Sequence, residues 1–301
     1  MNEASPRMII ERRIVIIGAT SPLGTSIAAA ALLAGHEVLA VSRSVANRPA
    51  VSGAWSSLKV DLTSARAVSQ MKLRPSDMLI SSAPLREFAR AVIAAEFPPG
   101  VRITAISSAS ATTKANSPFP IDAQWSREMR AAELAITTAV SGNARIIRPT
   151  MIYGSGRDKN VAYIARQLAR AHVLPLIGNG AGLRAPIHVD DLAQVVLAAA
   201  SEAFVATPVH VPGGEFLTFR EMVRRIATAA DIRYTEIQMP LFPFTFGARA
   251  FANVGRIGWT FAACARMAED LTVPDDAAVF GIYRRGFHPD ARAVGQTELH
   301  E

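Results

Sequence analysis

Short apolar runs alternate with helical patterns over the first half of the chain. The runs predict β-strands at Ile14–Ile17, Glu37–Ser42, Ser57–Val60, Met78–Ser81, Arg102–Ser107 and Ala144–Arg148. The segments between them predict helices at Leu23–Ala34, Ser64–Met71, Leu85–Glu96 and Ala123–Ser141. Nearly continuous β-branched runs that alternate with helices are typical of buried parallel strands joined by right-handed crossovers. The pattern therefore predicts an α/β fold with a doubly wound parallel sheet of the Rossmann type.

The rhythm breaks after Thr150. Glycine residues mark loops around one helical stretch, Asn160–Ala171. Two later segments predict a return to the sheet: a helix at Asp190–Phe204 and a strand at Pro208–Val211. A further helix is expected to start at Thr218, where the spacing of a capping box appears.

Composition restricts the classes of protein that the chain can belong to. At 301 residues and 50% hydrophobic residues, the chain can bury a substantial core. Its one cysteine, Cys264, excludes an internal disulfide and a cysteine-based metal site, so we expect no metal and a reducing compartment, the cytoplasm. The segment Met1–Arg13 lacks the apolar core of a signal peptide, and no run reaches the roughly 18 apolar residues of a membrane helix.

The formal net charge of +7 raises the question of a nucleic-acid or membrane-surface partner. The lysines and arginines are scattered, however, and no run of five or more basic residues appears. This pattern favours a basic surface with some arginines committed to an anionic cofactor or substrate. We therefore expect a small-molecule ligand and no nucleic acid.

The first predicted strand leads into a turn with glycine at both ends, Gly18 and Gly24, and then into an Ala-rich helix. Gly18 permits the tight turn, and the helix N-terminus offers N–H groups and a favourable dipole to a pyrophosphate. Gly24 lets the helix pack closely on the sheet, while Ser21 replaces the middle glycine of a G-x-x-G-x-x-G pattern. We assign this loop, with Thr20 and Leu23, to a dinucleotide cofactor, because strand, turn and helix arrive in order.

The second strand ends in Ser42 and Arg43, where an acid would bind the ribose of NAD. A guanidinium can hold a 2′-phosphate, so Arg43 favours NADP over NAD unless it is a solvated loop residue. Asp61, at the end of the third strand, is placed either to touch the adenine or to cap the next helix. Ser82 and Ala83, directly after the fourth strand, complete the predicted cofactor site.

Two later segments carry a resemblance to a known family. Residues 148–157 read Arg-Pro-Thr-Met-Ile-Tyr-Gly-Ser-Gly-Arg, and residues 186–193 read Pro-Ile-His-Val-Asp-Asp-Leu-Ala. With the loop at Gly18, these segments resemble the extended short-chain dehydrogenase/reductases, the NAD-dependent epimerase/dehydratase group, over about residues 13–230. The resemblance implies an oxidoreductase or epimerase with a nucleotide-sugar or related carbonyl or hydroxyl substrate.

The family's chemistry rests on a tyrosine and a lysine four residues apart on one helix, together with a serine or threonine after the fifth strand. In that register, with Glu133 as the expected trailing acid, Trp125 stands at the tyrosine position and Met129 at the lysine position. Ala109 stands at the serine position, although a one-residue slip to Ser108 would restore a hydroxyl. Neither an indole nor a thioether can transfer the proton, so the catalytic positions depart from the family.

Substitute groups are available after the same strands. Lys114 lies in the loop after the fifth strand and Tyr153 follows the sixth, so these two and Ser108 are candidate catalytic residues. The alternatives are a solvated lysine and a packed, hydrogen-bonded tyrosine. His188 is expected to make a structural hydrogen bond, and Asp190 to cap the helix after it.

The sequence is compatible with three functions: an atypical enzyme of the epimerase/reductase type, a non-catalytic NADP-binding sensor or assembly factor, and a scaffold without cofactor. The intact loop at Gly18 argues against the scaffold.

The family pattern also implies a division of the chain. The sheet domain would comprise residues 1–150 plus 187–211, and a smaller, mixed substrate lobe would comprise 151–186 plus 212–301. Family members usually pair through the two helices that flank the fifth strand, which implies a homodimer. The residues at the tyrosine and lysine positions would then be packing residues.

Overall fold

A computed structural model of the chain describes residues 12–158, 160–202, 208–250 and 263–295. The strands are β1 Arg13–Ile17, β2 Glu37–Ser42, β3 Trp55–Lys59, β4 Met78–Ser81, β5 Arg102–Ile106, β6 Ala144–Pro149, β7 Ile152–Tyr153, β8 Val173–Ile177, β9 Leu183–Arg184, β10 Ile187–His188, β11 Val209–Val211, β12 Leu217–Thr218 and β13 Thr235–Met239. The helices are α1 Pro22–Leu33, α2 Ala67–Gln70, α3 Leu85–Ile93, α4 Ser110–Thr113, α5 Pro120–Ala139, α6 Val161–Ala171, α7 Val189–Ser201, α8 Phe219–Ala229 and α9 Leu241–Ala250. Short 3₁₀ helices cover Arg266–Ala268 and Asp276–Phe280.

Seven strands form one parallel sheet in the order β11-β6-β5-β4-β1-β2-β3. Side chains alternate between its two faces: Ile14 and Ile16 pack under α1 and α7, whereas Val15 and Ile17 pack with α3 and α5. The predicted doubly wound parallel sheet is confirmed.

The predicted strands agree with the observed ones to within about two residues, and Glu37–Ser42 and Met78–Ser81 agree at both ends. The predicted helix at Ser64–Met71 is shorter, because residues 64–66 form turns before α2 begins at Ala67. The helix predicted at Asp190–Phe204 is α7, which ends at Ser201; residues 203–207 lie outside the described part.

Two caps refine the predicted helix starts. His188, and not Asp190 as predicted, caps α7, because its Nδ1 accepts a hydrogen bond from the Asp190 backbone N–H at 3.2 Å. Thr218 caps α8 as expected, accepting from Glu221 N at 3.1 Å. The Glu221 carboxylate does not close the box; it pairs with Arg224 and Arg225 on the same helix.

Beside the two apolar clusters on the faces of the large sheet, a third is built on α6, α8 and three two-stranded sheets. Strand β13 pairs in parallel with β8, and β12 pairs antiparallel with β9. The mixed character predicted for this region is therefore present, while the exact division into two domains stays a prediction.

Candidate cofactor and substrate site

The turn between β1 and α1 requires its first glycine. Gly18 has a φ of +79°, and a Cβ at this position would lie 2.8 Å from Ser82 Oγ and 2.9 Å from Ala83 N. The Gly18 N–H donates to Val41 O at 2.9 Å, which ties the turn to β2. A side chain at residue 18 would therefore be strained by its backbone angle and by its neighbours.

Ser21 begins helix α1. Its Oγ accepts from the Gly24 N–H at 2.9 Å and lies 2.9 Å from Ser82 Oγ. A Cβ on Gly24 would lie 2.3 Å from Gly18 O, so this close packing of helix on strand also demands glycine. Leu23 is buried in the core under α1. Leu23 and Gly24 thus shape the loop without lining the space in front of it.

A cavity of about 370 Å³, here called the cofactor cavity, opens at the carboxyl ends of β1, β2 and β4. It brings together most of the predicted cofactor residues, namely Gly18, Thr20, Ser21, Arg43, Asp61, Ser82 and Ala83. It also includes Ser42, Thr63 and Glu87, which sequence reasoning missed. The required glycine turn, the helix N-terminus and these polar side chains among apolar ones fit a dinucleotide.

Two charged residues stand at the β2 and β3 end of the cofactor cavity. Asp61 Oδ1 accepts from Thr63 N at 3.0 Å and from Thr63 Oγ1 at 2.9 Å. These hydrogen bonds, with a smaller contribution from the positive charge of Arg43, lower the pKa of Asp61. Asp61 therefore closes its own turn and does not cap α2, which begins at Ala67. Arg43 is exposed at the cavity wall.

A second cavity of about 340 Å³, here called the substrate cavity, lies at the carboxyl ends of β5 and β6. Among the residues that line it are Ser108, Ala109, Lys114, Arg184 and Arg266. Since β5 neighbours β4 in the sheet, both cavities occupy the same edge, where open α/β sheets bind their ligands. The structure thus brings Ser108 and Lys114 together.

Lys114 directly follows the short helix α4, and its Nζ donates to Asp122 Oδ1 at 2.9 Å. Asp122 lies in the first turn of α5 and is 1% exposed, and its other oxygen accepts from Arg266 at 2.5 Å. Burial and, next, the Arg266 charge lower the pKa of Lys114, although Asp122 opposes them. Lys114 is thus not the solvated loop lysine of the alternative interpretation.

Two polar side chains of the substrate cavity, Ser108 and Arg184, form hydrogen bonds with backbone atoms. Ser108 Oγ accepts from Ser110 N at 3.1 Å, and Ala109 N donates to Pro149 O at 2.8 Å. Arg184 donates to the carbonyls of Leu183, Glu269 and Arg266 at 2.5 to 2.8 Å. Burial lowers the pKa of Arg184 to about 10.

The helix that should carry the tyrosine–lysine pair is α5. Trp125 is 43% exposed, and the Arg86 guanidinium lies 5.7 Å from its ring centre. Met129 is buried in the core between α3 and α5. The trailing acid Glu133 is buried and accepts hydrogen bonds from Arg148. If the register predicted from Glu133 holds, the tyrosine position carries a partly exposed indole and the lysine position a buried thioether.

Tyr153 does not line the substrate cavity. It is 1% exposed, its hydroxyl donates to Gly286 O at 3.3 Å, and its ring packs edge-on against His188 and Phe287. Burial raises the pKa of Tyr153 to about 12. The geometry matches the packed, hydrogen-bonded tyrosine of the alternative interpretation.

Within the part of the chain that the structure describes, no helix is long and apolar enough to cross a membrane. The same residues contain no group of three or more His, Cys, Asp or Glu side chains that could hold a metal ion.

Comparisons with known proteins agree with the fold. The NAD dependent epimerase/dehydratase family matches residues 100–211. An uncharacterized protein of Sinorhizobium fredii is 25% identical over 146 residues, which cover 48% of this chain and 36% of that protein. A UDP-glucose 4-epimerase of Vibrio cholerae is 26% identical over 109 residues, which cover 36% of this chain and 33% of the epimerase. The chain spans about a third of the length of these relatives.

Solved structures resemble the chain over nearly its whole length. MoeE5, in complex with UDP-glucose and NAD, has a TM-score of 0.65 at 18% identity and covers 95% of this chain and 99% of its own. UDP-N-acetylglucosamine 4-epimerase from Bacillus cereus has a TM-score of 0.64 at 15% identity and covers 96% of each chain. UDP-glucose 4-epimerase from Thermotoga maritima has a TM-score of 0.65 at 12% identity, covering 96% of this chain and 100% of its own. At these identities the likeness shows the fold alone, a parallel sheet flanked by helices with a smaller C-terminal region.

Proposed function

We propose that this chain, whose residues 100–211 match the NAD-dependent epimerase/dehydratase family, is an NAD(P)-dependent enzyme acting on a nucleotide sugar or a related carbonyl or hydroxyl compound. The observation that carries the proposal is the position of the glycine turn. Gly18 lines the cofactor cavity, which lies at the same edge of the sheet as the substrate cavity. Cofactor and substrate would then meet above the ends of β4 and β5.

The residues of the cofactor cavity would hold the dinucleotide. The turn at Gly18 and the N-terminus of α1 suit the pyrophosphate, and Asp61, which lines the same cavity, would contact the adenine. Arg43 lines the cavity and its end of β2 carries no acid, which favours NADP over NAD. A bound nicotinamide would supply hydride exchange with a substrate carbon.

The substrate cavity supports an anionic substrate such as a nucleotide sugar. Arg184 and Arg266 bring two guanidinium groups to its wall, beside Lys114 and the buried carboxylate of Asp122. The MoeE5 structure contains UDP-glucose and NAD, which makes a nucleotide sugar the first substrate to test.

A non-catalytic NADP-binding sensor is the second candidate. The register predicted from Glu133 favours it, because in that register Ala109, Trp125 and Met129 stand where the family has a hydroxyl, a phenol and an amine. Such a protein would keep the cofactor cavity and lack turnover.

Fluorescence titration and product analysis separate the two candidates. Purified protein is titrated with NADPH and NADH, and then incubated with NADP⁺ or NAD⁺ and UDP-glucose or UDP-N-acetylglucosamine, with the sugars separated chromatographically. We expect NADPH to bind and a sugar to be epimerised, oxidised or dehydrated. Binding without conversion of any nucleotide sugar or carbonyl compound supports the sensor, and no binding at millimolar concentration overturns both candidates.

We also propose a cytoplasmic homodimer that pairs through α3 and α5. These helices pack on each other and present exposed apolar side chains, among them Ile93, Trp125 and Leu134. The single cysteine suits a reducing compartment. Light scattering on the wild-type chain and on Leu134→Glu tests the pairing; equal masses at the monomer value contradict it.

A further inference from the structure

The proposed function leaves a chemical gap on α5. An oxidation at a hydroxyl carbon, or a reduction at a carbonyl carbon, needs a group that exchanges a proton with the substrate oxygen. Trp125 and Met129 have no such group. Tyr153 lies outside the substrate cavity, and its pKa is raised to about 12. Another group must therefore exchange the proton if the chain turns over.

Lys114 is the candidate amine in the substrate cavity. It directly follows α4, which itself follows β5, so the chain delivers its side chain to the edge of the sheet where the substrate would bind. The side chain is 15% exposed, which leaves it accessible from the cavity while most of its stem is covered.

A chain of hydrogen bonds that runs from Lys114 through Asp122 to Arg266 fixes the position of this amine. Asp122, from α5, accepts a hydrogen bond from Nζ at 2.9 Å and is itself held by Arg266, from the 3₁₀ helix Arg266–Ala268, which also lines the cavity. Asp122 is 1% exposed, so this carboxylate is shielded from solvent. The carboxylate thus bridges two cations and restricts the amine to one place.

We propose that Lys114 is the proton-transfer residue of the enzyme, with Asp122 and Arg266 as positioning residues, in place of the family's tyrosine–lysine pair. The inference rests on the proposed function. In the oxidative direction the uncharged Lys114 amine would accept the hydroxyl proton of the substrate and become an ammonium, and a bound oxidised nicotinamide would supply the acceptor for the hydride of that carbon. In the reductive direction the ammonium would return that proton to the carbonyl oxygen, and a bound reduced nicotinamide would supply the hydride.

The surroundings of Lys114 make the uncharged amine accessible. Burial contributes most to lowering the pKa of Lys114, and the positive charge of Arg266 contributes next. Asp122 and, more weakly, Glu269 raise it, and Arg184 also lies on the cavity wall. The net direction is downward, which brings the amine closer to the pH at which it can work as a base.

Competitive acetylation tests the inference without a substrate. The whole chain is labelled with trace acetic anhydride from mildly acidic to alkaline pH, and each lysine is quantified by peptide mass spectrometry. Lys59 and Lys72 are exposed and serve as controls in the same molecule. We expect Lys114 to gain reactivity at lower pH than both controls. A Lys114 profile that coincides with theirs, or no reaction at any pH, overturns the inference.

Charge variants test the positioning residues. Arg266→Gln should move the Lys114 profile to higher pH, whereas Arg266→Lys, which keeps the charge, should restore it; Asp122→Asn should move it to lower pH. Equal profiles in Arg266→Gln and Arg266→Lys contradict the role of Arg266. Where a variant does not fold, the wild-type profile still decides the inference.

Lys114→Met links the amine to turnover. We expect it to bind NADPH as the wild type does and to lose activity roughly a hundredfold or more. Full activity overturns the inference, whereas absent NADPH binding in the wild type overturns the proposed function and leaves the labelling result standing.

Discussion

The hydroxyl oxygens of Ser21 and Ser82 lie 2.9 Å apart at the glycine turn that begins α1. Ser21 thereby occupies the place of the middle glycine and joins the turn to the end of β4, while its Oγ also caps the helix through Gly24 N. Ser82 Oγ lies 3.1 Å from Gly18 O and 3.2 Å from Ile17 O as well. The hydrogen bond between Ser21 and Ser82 thus stabilises the turn, while the Ser21 side chain takes up space that a bound pyrophosphate would use.

Replacing Ser21 should separate these two effects. In Ser21→Gly the backbone becomes open to the phosphates, so we expect NADPH to bind severalfold more tightly, with a loss of a few tenths of a kcal/mol from the cap. Ser21→Ala keeps Cβ and removes the hydroxyl, and should lose about 1 kcal/mol of stability without tighter binding. Fluorescence titration and denaturant unfolding measure both; equal NADPH affinities in the two variants contradict the argument.

Gly18 should tolerate no side chain. Gly18→Ala combines a positive φ with contacts to Ser82 and Ala83 below 3 Å. Gly35→Ala is the matched control, because φ is +81° there and no atom lies within 4 Å of the new Cβ. The control should lose about 1–2 kcal/mol from the backbone angle alone.

We expect Gly18→Ala to lose roughly 1–3 kcal/mol more than the control through crowding. It should also bind NADPH at least tenfold more weakly, while Gly35→Ala binds normally. Chemical unfolding and fluorescence titration provide the measurements. Similar stabilities for the two variants would show that the turn at Gly18 relaxes.

Strand positions were predictable because parallel strands buried on both faces leave continuous apolar runs, as at Met78–Ser81. The glycine turn was predictable for a different reason: its residues are consecutive in the sequence between β1 and α1. The partners of Lys114 were not: Asp122 and Arg266 are 144 positions apart, and only tertiary packing joins them. The cap of α7 was missed because a histidine ring nitrogen, rather than the usual Asp190 carboxylate, accepts the hydrogen bond.

Arg43 should determine the choice between the two nicotinamide cofactors. If its guanidinium holds the 2′-phosphate, Arg43→Gln removes a charge-assisted hydrogen bond worth about 1.5–3 kcal/mol. NADPH affinity should then fall roughly 10- to 100-fold while NADH affinity changes little. Arg90→Gln, on the exposed surface of α3, is the control and should leave both affinities unchanged. Equal losses for NADPH and NADH would assign Arg43 to the surface.

Tyr153→Phe should preserve turnover and change the response of stability to alkaline pH. The variant keeps the ring contacts with His188 and Phe287, at 5.2 and 4.8 Å between ring centres, and loses the hydrogen bond to Gly286, which should lower the free energy of unfolding by about 0.5–1.5 kcal/mol.

Burial raises the pKa of Tyr153 from 10.0 to about 12, so the neutral phenol favours the folded state. Its contribution is complete below pH 10 and is lost as the pH rises from 10 towards 12, because the unfolded chain releases that proton first. Urea unfolding across this range should therefore show a steeper fall for the wild type than for Tyr153→Phe, and Tyr283→Phe, at an exposed tyrosine, should follow the wild type. Loss of turnover in Tyr153→Phe with NADPH binding intact would instead make Tyr153 a catalytic residue and remove the need for Lys114.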